Sequence, residues 1–126
     1  MLPSTIEFSN TLKSRTKQFA LLAIRVCQAL PKADECYVIK RQLLRSATSV
    51  AANYRAACRA RSGKEFYAKI CIVVEEADET CFWIELLNES NIHCPPSLEK
   101  LATEATELLK IMAKIKKSAG LKSAQL

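Results

Sequence analysis

Apolar residues recur at steps of three and four in four separate stretches of the chain, the period of an amphipathic helix rather than the alternation of a strand. In the first stretch Leu12, Phe19, Val26 and Leu30, joined by Leu22 and Ala23, mark one face as far as Pro31. Proline stops a helix there because it has no amide to donate and crowds the preceding turn. The second stretch carries Ile39, Leu43, Ser46, Val50, Asn53 or Tyr54, and Ala57. Ser62 and Glu65 then have the S-x-x-E spacing of a capping box, which opens a third helix. That helix has Tyr67, Ile70, Val74, Ala77, Cys81, Ile84 and Leu87 on its apolar face. The fourth stripe is the most regular: Leu98, Leu101, Ala105, Leu108, Met112 and Ile115, opened by Pro96 and Ser97 and closed at Gly120. The pattern predicts helices over about residues 9–30, 35–61, 63–90 and 96–118. Four helices with short links predict an all-α, up-down-up-down antiparallel four-helix bundle.

Composition agrees with this reading. Only two Gly and four Pro interrupt 126 residues rich in strong helix formers, and the length suits a single domain spanning residues 1–126. The opening MLPSTIEFSN has no basic stretch followed by an apolar run, and no apolar run approaches the roughly 18 residues of a membrane span, so the expected setting is the cytoplasm without membrane contact. Six cysteines, at 27, 36, 58, 71, 81 and 94, include no C-x-x-C pair and are expected as reduced, core-type thiols rather than a disulfide or metal framework.

Catalytic patterns are missing. Glu75, Glu76 and Glu79 supply carboxylates, but no His follows at the spacing of a di-metal bundle. The single His, His93, stands in a Pro-flanked loop with no evident Asp to orient it, and RSGKEF has one Gly where a phosphate-binding loop needs two. The expectation is a non-enzymatic protein with no metal and no cofactor.

Charge divides the chain. Residues 13–69 hold thirteen Lys or Arg against three acids, whereas residues 70–107 hold nine acids against Lys100, within an overall net charge of +6. On the second helix Arg41, Arg45, Thr48, Ala52, Arg55 and Arg59 step by four and three, forming a stripe opposite Leu43 and Val50. A hairpin about Ser62 puts Arg45 level with Glu79 and Arg41 near Glu85, while Arg59, Arg61 and Lys64 at its tip face only Glu65. Three readings of the stripe stand: a solvated or internally paired face, an oligomer contact, and an anion or nucleic-acid surface. Apolar residues left outside the bundle stripes, Ile24 and Cys27 on the first helix and Phe82 and Trp83 on the third, favour a subunit interface.

The run LLRSATSVAANYRAACRARSGKEFYAKICIVVEEADETCFWIELL resembles the bacterial four-helix-bundle family encoded by intervening sequences of 23S ribosomal RNA genes. The residues that carry the resemblance are Arg45, Ser46, Ser49, Asn53, Arg61, Ser62, Glu65, Phe66, Glu75 and Glu79. The chain departs from the family pattern at Ala51, where many members have Pro, and at Gly63, where a polar residue is usual. The resemblance implies the same bundle. Through the related accessory variability protein of diversity-generating retroelements, it also implies a basic, ring-shaped homopentamer that works with RNA.

Two functional classes follow. The favoured one is an oligomeric accessory protein that binds RNA or another nucleic acid through Arg41, Arg45, Arg55, Arg59, Arg61 and Lys64, with Phe82, Trp83 and Glu79 at the subunit interface. The alternative is a structural or protein-interaction scaffold ring without nucleic acid, in which charge stripes pair one subunit's second helix with its neighbour's third. The aromatics Tyr54, Phe66 and Tyr67 beside the basic corner have the spacing of core residues, so any binding there is expected to be driven by charge.

Overall fold

With so few helix breakers, each stretch between Pro31, Ser62 and the Pro95–Pro96 pair folds as one long helix. The computed structural model describes residues 3–124, with side chains over 5–122. It contains α1 (Pro3–Gln28), α2 (Asp34–Cys58), α3 (Gly63–Glu89) and α4 (Ser97–Ala124). At 1.5 Å per residue each is roughly 40 Å long. Ser9 of α1 neighbours Tyr54 of α2, whereas Cys27 lies 3.7 Å from the Lys40 carbonyl, so α1 and α2 run antiparallel. Ser46 meets Thr80, Tyr67 meets Gly120, and Arg15 meets Glu104, which gives the same sense to the α2–α3, α3–α4 and α1–α4 pairs. The architecture is the antiparallel four-helix bundle the periodicity predicts.

Helix ends differ from the sequence expectation in instructive ways. α1 begins at Pro3 rather than near residue 9, because a proline is tolerated in a first turn whose amides have no helical partner. α2 stops at Cys58, and the amides of Arg59 and Ala60 fall back on the Ala56 and Ala57 carbonyls at 3.0 Å each, tightening the corner before α3. Half of the expected capping box forms: the Ser62 hydroxyl accepts from the Glu65 amide at 3.1 Å, while the Glu65 carboxylate turns toward Arg61 Nε at 3.4 Å. Gly120 does not close α4, which continues to Ala124 with no glycine at positive φ among the described residues. Its role is clearance: a Cβ at that position would stand 3.2 Å from the Tyr67 ring.

The core holds every residue of the α4 stripe down to Met112, together with Leu12, Phe19, Val26, Leu43, Val50, Ile70, Ile84 and Leu87. Each large apolar side chain buried this way stabilises the fold by roughly 1.5–3 kcal/mol. At the position left open between Asn53 and Tyr54, Tyr54 goes inside, and Asn53 bonds back to the Ser49 carbonyl and hydroxyl at 3.0 and 2.9 Å.

α3 buries Ile70, Ala77, Ile84 and Leu87 as expected, but its inner face is shifted at the remaining positions. Val73 and Thr80 are fully buried, while Val74 and Cys81 are only partly so. Apolar residues surround this helix on most sides, so periodicity alone marks its inner face weakly. Thr80 enters the core because its hydroxyl has two partners there, the Ser46 hydroxyl at 2.9 Å and the Glu76 carbonyl at 2.7 Å.

All six cysteines are free thiols. Cys27, expected on spare surface, is instead 3% exposed, and burial pushes its thiol up to about 11. An unfolded thiol ionises near 8.5. Cys27 therefore contributes stability that is fully present below about pH 8.5 and is lost as pH rises toward its folded value, since only the unfolded chain releases the proton over that interval. Thermal melts should show an alkaline decline across this window that is smaller in Cys27→Ala. An equal decline in both proteins would rule out this thiol as a source.

Candidate nucleic-acid interface

The basic stripe of α2 is exposed along its length, but its neighbours on either side divide it. On the α3 side, Arg45 reaches Glu76 at 2.8 Å through Nη1 and Glu79 through Nη2. Glu79 also accepts the Trp83 indole N–H at 3.0 Å. Among the described residues these are the ion pairs that join α2 to α3, and Arg41 does not pair with Glu85 as the hairpin register suggests. The register itself holds, since Arg45 and Glu79 are level as expected. Exposed pairs of this kind are worth about 0–1 kcal/mol. Arg45→Gln is accordingly expected to change the melting temperature by no more than a few degrees and RNA affinity by less than about twofold. A large loss of binding in a filter or anisotropy assay would return Arg45 to the interface.

On the α1 side the stripe meets more positive charge. Lys13 and Lys17, one turn apart, face Thr48, Ala52, Arg55 and Arg59 across a groove of about 680 Å³. Among the described residues the groove has no acidic residue in its lining. Its geometry follows from the hairpin at Pro31, which brings residues whose numbers sum to about 65 level with each other and so sets Lys17 beside Thr48 and Lys13 beside Ala52. Small residues on α2, Ala51 and Ala52, keep the groove open between the long cationic side chains.

Arg15 lies between these two lysines in sequence but points the other way, about 200° around the helix from Lys13. It makes paired hydrogen bonds to Glu104 of α4 at 2.8 and 2.7 Å and another to Glu107 at 2.7 Å. The Glu104 hydrogen bonds, more than any other influence, hold its guanidinium charged. One helix thus spends Arg15 on an interhelical clamp and leaves Lys13 and Lys17 for the groove.

Arg59 continues the groove into the α2–α3 corner, where Arg61 is exposed with only the 3.4 Å approach of Glu65, and where Lys64 stands exposed in the first turn of α3. The amides at that helix start add a positive end. Arg55 and Arg59 therefore share the groove with Lys13 and Lys17, Arg61 and Lys64 follow at the corner, Arg41 lies farther along α2 and Arg45 is engaged by acids. The two lysines escaped sequence reading, although their i, i+4 spacing and the Pro31 hairpin were visible.

Of the corner's three aromatics, Tyr54 is 2% exposed and Phe66 packs against the buried cluster, whereas Tyr67, expected in the core, is half-buried outside it against Gly120. Among the described residues, no group of three His, Cys, Asp or Glu side chains is placed so that it could hold a metal ion, and no helix is long and apolar enough to cross a membrane.

Comparison with known proteins agrees with this architecture. A crystal structure from Bacteroides thetaiotaomicron, of a protein of unknown function in the S23 ribosomal protein family, superposes with a TM-score of 0.77 at 32% identity, covering 86% of this chain and 97% of that one. No curated protein matches. The family model described as 23S rRNA-intervening sequence protein matches residues 9–114, which include α2 and α3 whole, most of α1 and α4, the groove and the basic corner, and the chain therefore belongs to that family.

Proposed function

We propose that this protein is a non-enzymatic accessory factor of the cytoplasm that assembles into a closed homo-oligomer, a pentamer, and holds RNA along the α1–α2 groove and the adjoining corner. The observation that carries this reading is the acid-free groove lined by Lys13, Lys17, Arg55 and Arg59. Like charges gathered without counter-charges repel one another, and an anionic partner relieves that repulsion. A phosphate backbone does so at several points at once. Arg61 and Lys64 extend the track. With few aromatics free to stack on bases, recognition rests on phosphate and is weakly sequence-selective.

The family's tie to intervening sequences of 23S rRNA supports RNA as the nucleic acid. The ring reading draws on the resemblance to the retroelement accessory protein and on exposed apolar side chains of α2 and α3. In a ring, each subunit repeats the groove, so a long RNA can engage several copies.

Binding to single-stranded RNA, followed against salt, tests the proposal. The four groove cations with Arg61 and Lys64, each displacing a counterion, give a log–log slope of about −4, at roughly −0.7 per phosphate. No binding at low salt would transfer the assignment to the second reading, a protein-interaction scaffold. That alternative has its own support in the Arg45–Glu76–Glu79 cluster, which already neutralises part of the stripe, and in the exposed Phe82 beside it on α3.

A further inference from the structure

At the end of the bundle that carries the α2–α3 corner, a cavity of about 480 Å³ opens between the first turns of α1, the start of α3 and the last turns of α4. Phe8, Phe66, Ile115 and Ala119 make its walls apolar. Phe8 is 53% exposed, an unfavourable placement for so large an apolar side chain unless something covers it. Tyr54 reaches the cavity from α2 and is 2% exposed. Ser9 and Cys58 are its polar neighbours and the hydrogen-bond partners of its hydroxyl. Burial, foremost, pushes this phenol up.

The polar side chains around this apolar space are hydroxyls and one ammonium. Ser62 and Gly63 bring the unpaired amides of the α3 start to one side, and Lys122 stands at the other. Ser9 and Ser118 add hydroxyls, and among the described residues no carboxylate lines the cavity. The volume lies within the roughly 300–1,000 Å³ of small-molecule sites, and the combination of apolar walls with a few converging polar groups is their usual chemistry. An apolar body against Phe8, Phe66 and Ile115 with an anionic head toward Lys122 and the α3 amides matches both halves.

We infer that this cavity binds a small monocarboxylic acid with an apolar body of about eight to ten carbons, such as a medium-chain fatty acid. The inference does not depend on RNA binding, because its residues and its test are separate from the α1–α2 groove. Titration calorimetry with sodium decanoate below its micelle concentration is the experiment, with decanol as the uncharged control and helicity recorded for each variant.

Saturable one-to-one binding of decanoate is expected, with decanol weaker by threefold or more. Lys122→Gln, at an exposed position, should weaken decanoate by about threefold and leave decanol unchanged, in keeping with one exposed charge contact. Ser118→Trp, which fills the space from its rim, should abolish binding of both. The inference is overturned if decanoate does not saturate, if decanol binds as tightly as decanoate, or if folded Ser118→Trp binds like the parent.

Discussion

Replacing Lys13, Lys17, Arg55 and Arg59 together by Gln is expected to lower affinity for single-stranded RNA by about a hundredfold to a thousandfold near 0.1 M salt. The magnitude follows from counterion release: about 0.7 log unit per phosphate for each tenfold change in salt, summed over four contacts and referred to 1 M, approaches three log units at 0.1 M. The same variant should flatten the salt slope by about 3, leaving the residue contributed by Arg61 and Lys64 at the corner. Fold is expected to survive, since the four side chains line an open groove and make none of the interhelical ion pairs. Removing like-charge repulsion should, if anything, raise the melting temperature slightly. Anisotropy of a labelled oligonucleotide across a salt series, with circular dichroism alongside, measures all three quantities. Parent-like binding by a folded quadruple variant would remove the groove from consideration.

A second large effect is expected at the opposite charge pole. Phe82 and Leu86 of α3 are 48% and 36% exposed, and Tyr37 and Val38 at the start of α2 are 57% and 62% exposed at the same end of the α2–α3 pair. Phe82 and Trp83 meet edge to face with ring centroids 4.9 Å apart, and the Glu79 hydrogen bond fixes the indole, so the patch is preorganised. If a second copy covers it, Phe82→Asp with Leu86→Asp removes two apolar contacts of roughly 1.5–3 kcal/mol each and buries charge in their place. The expected result is conversion of a stable oligomer into monomer at micromolar concentration with helicity intact, read by light scattering or sedimentation. A parent protein that is already monomeric, or an oligomer indifferent to both aspartates, would defeat the ring. Phe82 is preferred to Trp83 as the site of change because Trp83 also hydrogen-bonds within its own subunit.

The residues that carried the family resemblance turn out to be largely those that hold helices together. Ser46 bonds Thr80 across the core, Asn53 bonds Ser49 along α2, Arg45 joins Glu76 and Glu79, and Ser62 caps α3. A motif built from such contacts reports architecture faithfully. It says little about a binding partner, and the groove lysines lie outside it.

The sequence by itself determined four helices, their order, the antiparallel hairpins and most of the core, because helical period and breaker positions are local properties written at steps of three and four residues. It also placed Arg45 level with Glu79, since a hairpin register needs only the position of one turn. Tertiary structure decided what local pattern leaves open. Val73 and Thr80 rather than Val74 and Cys81 face inward because α3 is apolar on several sides and a buried Ser46–Thr80 pair selects among them. Gly120 serves close packing against Tyr67 instead of ending α4, a choice made by a neighbouring helix. Above all, only the packing of α1 against α2 separates Arg15, held by Glu104 and Glu107, from Lys13 and Lys17, which face Arg55 and Arg59 with no acid between them. Charge along one helix is visible in sequence, whereas its neutralisation depends on which side chains a second helix brings within a few ångströms.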